Sequence, residues 1–331
     1  MKGYEMYTLS IIVPIYGVEK YLCKCLDSIY SQADERCQVI LVDDASPDRC
    51  GEICEEYKAR YPEHTIVIHQ ENMGLGGARN SGMAVASGEY YLFVDSDDYI
   101  SEGALKAVFD ATQKYDADVL IFPFRLVDED YRDLGVCRDN LPVNTLLHAK
   151  DNRMIITGYP NAWNKVARAS LYRDNDISFP SRVWYEDIRT TPKMLSKADT
   201  VVYLEHPLYN YLQREGSIMN NAKVERNVEI IEALDDLLSW FQNAGLYAEF
   251  CHELDYLIID HVFVSATVRV LRSAGAGHHL IGELRDFTYG RCTTLSHNKY
   301  LSAMPKNRKL IFKLLSAKLY FAVQLIFKIK G

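Results

Sequence analysis

The stretch Glu89-Tyr90-Tyr91-Leu92-Phe93-Val94-Asp95-Ser96-Asp97-Asp98 decides how this chain is read, because an apolar run of strand length ends abruptly in three closely spaced acids. Carboxylates crowded at a strand end repel one another and call for a cation. Hard divalent ions such as Mg2+ or Mn2+ are held by a few carboxylate oxygens and complete their shell with water and substrate phosphates, so a metal diphosphate is the natural guest. The competing reading is a polar turn that opens a helix, with Asp98 or Ser101 as its cap. The surrounding sequence separates the two.

Upstream, Leu9 to Tyr16 and Gln38 to Asp44 are continuous apolar runs of strand length, separated by the helix-patterned Glu19 to Ala33. Continuous rather than alternating apolarity indicates strands covered on both faces, as in a parallel sheet. Pro47-Asp48 opens a helix through about Tyr61, a third strand runs Thr65 to His69, and Asn72 to Ala86 is a glycine-rich loop and helix. The result is a βαβαβαβ series with acids after its second and fourth strands. Ligands of open α/β sheets bind outside the carboxyl ends of strands, so Asp43-Asp44 and Asp95 to Asp98 should line one crevice.

The loop Asn72-Met73-Gly74-Leu75-Gly76-Gly77-Ala78-Arg79-Asn80-Ser81-Gly82 is not a dinucleotide fingerprint, since the third glycine would fall at position 79, where Arg79 stands. It also lacks the lysine of a phosphate-cradling P-loop. It offers flexible backbone, a helix N-terminus and a fixed cation, suited to an anionic or carbonyl-bearing ligand.

Together these pieces resemble the nucleotide-sugar-binding domain of glycosyltransferase family 2. The matching residues are Val13-Pro14-Ile15-Tyr16, Asp43-Asp44-x-Ser46-x-Asp48, Asn72-x-Gly74-x-x-x-Ala78-Arg79-Asn80-x-Gly82 and Asp95-Ser96-Asp97-Asp98, with Trp163-Asn164-Lys165-Val166 and Trp184-Tyr185-Glu186-Asp187-Ile188 further on. Beyond about Tyr211 the likeness thins to Arg214-x-x-Ser217. The resemblance implies a GT-A fold: α/β with a mostly parallel central sheet, followed by a helical C-terminal region. The expected division is a catalytic domain over 1–218, a helical region over 219–304 and a basic amphipathic helix over 305–331.

The resemblance also implies roles. Tyr16 would pack on a nucleobase, Asp43 or Asp44 would accept its imide N–H, and Arg79 would face its carbonyl oxygen, a set that suits uracil. Pro14, Asn72 and Ser96 are carried with them as donor-binding positions. Asp95 would meet the ribose or the metal, and Asp97 would be the principal ligand of a divalent cation, Mn2+ or Mg2+, bridging the diphosphate. An acceptor hydroxyl needs a general base within hydrogen-bond reach; by resemblance Asp187 is that base and Glu186 supports it. The competing reading of both acids is that they favour a helix N-terminus. Trp163 stacks on an acceptor sugar beside Lys165, or both belong to the core. Arg214 and Ser217 are candidates to clamp donor or lipid phosphates.

Composition bounds the partners. The chain has 331 residues, 48% hydrophobic and 25% charged, enough for a sizeable core. Its net charge of −8 hides an asymmetry: residues 305–331 carry seven of the 37 basic side chains and none of the 45 acids, leaving −15 on the rest. Such a body repels polyphosphate, which argues against nucleic acid. The tail from Leu310 to Phe327 is too broken by lysine to span a bilayer and fits an interfacial helix on anionic lipid, or one packed on the body or in a homodimer contact. No signal peptide is read at the N-terminus. Eight cysteines without paired spacing point to reduced thiols. Lys223 to Gln242 and Tyr247 to Arg272 read as amphipathic helices that shape an acceptor site or a dimer contact.

The expected function is an inverting, metal-dependent transferase that moves a sugar from a nucleoside diphosphate, UDP first, to a glycan on a lipid carrier in bacterial surface-polysaccharide assembly. The expected location is the cytoplasm, peripherally on the inner face of the cell membrane. Alternatives are a nucleotidyl or phosphoglycosyl transferase on the same fold and a non-catalytic nucleotide-sugar-binding protein.

Overall fold

The computed structural model describes residues 7–214 and 224–330. The chain divides into two compact units, Met1–Arg214 and Glu215–Gly331. In the first, β1 (Leu9–Ile15), α1 (Glu19–Tyr30), β2 (Cys37–Asp43), α2 (Cys50–Arg60), β3 (Thr65–His69), α3 (Gly74–Val85) and β4 (Tyr90–Phe93) follow the alternation read from the sequence. Every residue of β1, β2 and β4 is buried, the outcome expected of uninterrupted apolar runs with helices on both faces. The second helix starts later than Pro47-Asp48 suggested. Asp48 instead accepts the Cys50 N–H at 3.2 Å and the Glu19 N–H at 3.0 Å, so one carboxylate serves the first turns of two helices.

Next come β5 (Tyr99–Ile100), α4 (Ala104–Tyr115), β6 (Val119–Ile121), β7 (Phe124–Val127), β8 (Asp133–Cys137), β9 (Leu146–His148), β10 (Lys165–Arg168), α5 (Ala169–Arg173), α6 (Glu186–Ser196), β11 (Thr200–Tyr203) and β12 (Tyr209–Leu212). The main sheet has the order β3-β2-β1-β4-β10-β6-β11-β9. It is mixed: β3, β2, β1 and β4 are parallel, whereas β10 runs antiparallel to both β4 and β6, and β9 antiparallel to β11. A small second sheet has the order β5-β12-β7-β8.

Register places the chemistry. Ile15 pairs with Asp43, Asp43 with His69 and Ile12 with Phe93, so the four parallel strands end along one edge. The pairing of Val166 with Leu92 brings the start of β10 beside the end of β4, and so sets Asn164-Lys165 next to the acids.

In the second unit, α7 (Glu229–Asn243), α8 (Tyr247–Leu257), α9 (Thr267–Ser273), α10 (Leu280–Arg291), α11 (Lys306–Ser316) and α12 (Tyr320–Lys330) are helical. The single helix expected over 247–272 carries a π-helical stretch, Ile258–Ala266, between α8 and α9. The helix expected over 305–331 is two helices. Lys318 takes a left-handed φ of 57° between them, and the Leu319 N–H closes back on the Leu314 carbonyl at 2.9 Å. All eight cysteines are free thiols.

Candidate active site

The acid-tipped strand end is built as a turn, with the Asp98 N–H donating to the Asp95 carbonyl at 3.0 Å. Its three carboxylates face three ways. Asp98 is fully buried and accepts the Tyr209 hydroxyl at 2.8 Å and the Leu212 N–H at 2.8 Å, while the Asp95 N–H donates to the same Tyr209 oxygen at 3.1 Å. It thus ties β12 to the turn. Burial, with Asp97 and Asp95 adding to it, pushes Asp98 well above the ordinary carboxylate range, so it acts as an internal pin. Asp97 points out of the turn, its Oδ2 held by Arg214 Nε at 2.9 Å and Nη2 at 2.8 Å.

Asp95 turns toward Arg79, and here the structure departs from the role implied by resemblance. Arg79 is 0% exposed. Its Nη2 donates to Asp95 Oδ1 at 2.9 Å, and its Nη1 to Glu186 Oε1 at 2.8 Å and Asp187 Oδ1 at 2.5 Å. A guanidinium committed to three carboxylates is not available to a base carbonyl. Instead it joins the strand-end acids to the Glu186-Asp187 pair that opens α6. The signal lay in α3 itself, where a lone arginine follows Gly76, Gly77 and Ala78 in a stretch buried all round. A large cation among residues that small has to bring its counter-ions with it.

Burial opposes the charge on Arg79, yet Asp187, Asp95 and Glu186 outweigh it and raise its pKa. The acids respond in turn: burial pushes Asp95 up to about 6 against the pull of Arg79, and burial with the nearby Asp187 pushes Glu186 up to about 7. Glu186 is thus held toward its protonated form, and Asp187 is the member held by both Arg79 and a backbone donor, the Ala162 N–H at 3.1 Å to its Oδ2.

The loop before α6 is set by glycine. A Cβ on Gly76 would lie 2.2 Å from the Pro180 carbonyl oxygen, a backbone atom that cannot swing aside. Gly76→Ala is therefore expected to displace residues 179–182 and cost about 1–3 kcal/mol, read as a lower melting temperature; an unchanged melt would show that the loop yields freely.

The other candidates are placed as follows. Tyr16 is 53% exposed at the end of β1, an open aromatic face, whereas Pro14 is buried inside that strand. Asp43 accepts the Ser46 N–H at 3.0 Å and pairs with His69 Nδ1 at 2.9 Å. Asp44 accepts Gln70 Nε2 at 2.7 Å and the N–H groups of Met73 and Gly74, each at 2.8 Å, so it secures the start of α3. The Asn72 carbonyl accepts from Arg182 at 3.1 and 2.6 Å, and Ser96 is buried. Trp163 is 5% exposed and stacks on Tyr209 with centroids 4.4 Å apart, and Lys165 is also buried; neither presents a face to an acceptor. Ser217 lies outside the described residues.

Among the described residues no group of three or more His, Cys, Asp or Glu side chains is placed to hold a metal by itself. The donor set fits a shared cation instead. Asp95 and Asp97 each engage an arginine through one oxygen, leaving the other, and Mg2+ or Mn2+ takes one or two carboxylates and draws its remaining ligands from substrate phosphates.

The sequence model of glycosyl transferase family 2 matches residues 10–189, which include both acidic turns, Arg79 and the Glu186-Asp187 pair. The chain belongs to that family. Family membership makes it a glycosyltransferase. Among its relatives, glycosyltransferase GlyA of Streptococcus pneumoniae is 31% identical over 250 residues, covering 72% of this chain, which spans only 35% of that protein's length. The uncharacterized glycosyltransferase EpsJ of Bacillus subtilis is 28% identical over 98% of this chain and 96% of its own. The crystal structure of residues 1–349 of Staphylococcus aureus TarS in complex with UDP-GlcNAc superposes with a TM-score of 0.71 at 25% identity, covering 98% of this chain and 92% of that one. The glycosyltransferase thus has the GT-A-like α/β fold with a mixed central sheet and a helical C-terminal region.

Proposed function

We propose that this glycosyltransferase inverts the anomeric centre of a UDP-sugar, with a divalent cation, in transferring it to a glycan of bacterial surface-polysaccharide type on a lipid carrier. The observation that carries the reading is Arg79, which joins Asp95, read here as the donor-side acid, to Glu186 and Asp187, read as the acceptor-side acids. TarS, a poly(ribitol-phosphate) β-N-acetylglucosaminyltransferase by name, makes UDP-GlcNAc the first donor to test.

In this reading Tyr16 stacks on uracil and Asp43 faces its imide edge. Asp97 and Asp95 would hold the cation, which when bound supplies Lewis-acid neutralisation of charge on the departing diphosphate. Arg214, paired with Asp97, would exchange part of that contact for phosphate oxygens of the donor. Asp187 removes the proton of the acceptor hydroxyl as its oxygen forms the new bond to the anomeric carbon, and UDP leaves from the opposite face. Arg79 orients Asp187, and burial holds Glu186 toward its protonated form. A thermal-shift screen of nucleoside diphosphate sugars with and without Mn2+ tests the donor. A UDP-sugar is expected to raise the melting temperature only with the metal, since a ligand of the native state stabilises it; no shift with any of them would refute the reading.

The membrane part rests on the C-terminal helices. Phe321 is 79% exposed and Leu325 58%, one turn apart on α12, with Leu319 beside them and Lys306, Lys309, Lys313 and Lys318 nearby in sequence. No helix among the described residues is long and apolar enough to cross a membrane, so the fitting occupant is an anionic lipid surface. Substituting Phe321 and Leu325 together by glutamate leaves the buried Ile311, Leu315 and Val323 in place, and is expected to weaken sedimentation with phosphatidylglycerol vesicles by about tenfold or more. Equal sedimentation of variant and wild type would remove the membrane from the proposal.

A further inference from the structure

The second oxygen of Asp187 leads away from Arg79 to the segment Tyr159-Pro160-Asn161-Ala162-Trp163-Asn164, which enters β10. That segment is fastened by Lys165. The ammonium of Lys165, in a residue 3% exposed, donates to the Tyr159 carbonyl at 2.7 Å, the Asn161 carbonyl at 2.8 Å and Asn164 Oδ1 at 2.6 Å, one acceptor for each of its three hydrogens. From the other side Asp139 accepts the Tyr159 N–H at 3.2 Å. Ala162 thus stands inside a span whose carbonyls are held on both flanks, and its own N–H points at Asp187.

Packing alone does not account for a lysine here. Burying an ammonium is costly, and a methionine would fill much the same volume without that cost. What the ammonium adds is a fixed position for three acceptors in six residues, and with them the donor between.

We propose that Lys165 is a positioning residue for the general base: it holds the 159–164 segment so that the Ala162 N–H orients Asp187. This rests on the reading of Asp187 as the base. Asp187 is faced by Arg79, Glu186, Asp95 and Tyr172 as well as Lys165, and of these only Arg79 and Lys165 carry positive charge.

The test is turnover of UDP-GlcNAc, measured as UDP release with Mn2+, in full-length Lys165→Met and Ala162→Pro. The first removes the ammonium; the second keeps the ammonium and removes the N–H, while its ring also restrains the backbone at 161–162. In Lys165→Met, with UDP affinity unchanged as the control for folding, kcat is expected to fall roughly 10- to 100-fold with KM for the donor within twofold. The acidic limb of the kcat profile is expected to move to higher pH, because the carboxylate has lost a donor and a nearby positive charge. Ala162→Pro is expected to move the limb the same way. A purely structural lysine would change the melting temperature and leave that limb where it is. Wild-type kcat and an unmoved limb in folded Lys165→Met overturn the proposal; if that variant does not fold, wild-type behaviour of Ala162→Pro does so. Should Asp187→Asn itself turn over normally, the proposal falls with its premise, whatever Lys165 does.

Discussion

Asp187→Asn is expected to lower UDP-sugar turnover by roughly 10²- to 10⁴-fold while UDP affinity stays within about twofold. The substitution keeps shape and one acceptor oxygen. That oxygen can still meet Arg79, which donates to Oδ1 at 2.5 Å, but the amide then sets a donor against the Ala162 N–H, so a modest loss of stability accompanies the chemical effect. An amide cannot take the acceptor's proton. Asp95 and Asp97, the proposed donor-side groups, are untouched, which is why binding and turnover should separate. Paired measurements of UDP affinity by calorimetry and of UDP release check this, and wild-type release from the folded variant would take Asp187 out of the role.

Arg79→Met should have the largest effect on stability. It leaves Asp95, Glu186 and Asp187 around a space that has lost its cation, and removing one partner of a buried ion pair costs about 3–5 kcal/mol. The loss depends on pH, and the direction follows from the acids. Burial already raises Glu186 from 4.5 to about 7 and Asp95 from 3.8 to about 6, with Arg79 pulling both down. Without Arg79 they rise further, so the folded variant binds protons that the unfolded chain has released. Its stability then falls as pH rises. Melting curves at pH 5 and pH 8 should show a larger gap between variant and wild type at pH 8. A gap that is equal at both, or larger at pH 5, would mean that Arg79 does not neutralise these acids.

What the sequence disclosed and what it withheld follow from the range of the interactions. The βαβαβαβ series was legible because β1, β2 and β4 are apolar without interruption, and only strands covered on both faces tolerate that. The shared edge for Tyr16, Asp43-Asp44 and Asp95 followed from parallel pairing. The partners of Arg79 were not legible, since Glu186 and Asp187 lie more than a hundred residues away and no local period links them. The same distance hid the pinning of Asp98 by Tyr209. Trp163 and Lys165 read equally as binding or core residues because an aromatic beside a lysine suits either; the stack on Tyr209 and three carbonyl-type acceptors place them inside. The break at Lys318 was missed because a left-handed lysine carries no compositional mark, unlike the glycines at 245 and 275.

In the proposed mechanism Asp97 and Asp95 seat a cation that tethers the pyrophosphate of an activated sugar. Calorimetric titration of the full chain with UDP, in Mn2+ and again in excess chelator, beside Asp97→Ala, addresses it most directly. Binding in Mn2+ should weaken about tenfold or more in chelator, and Asp97→Ala should bind weakly in both. Equal affinity of the wild type with and without the metal, or full affinity in Asp97→Ala, would contradict it.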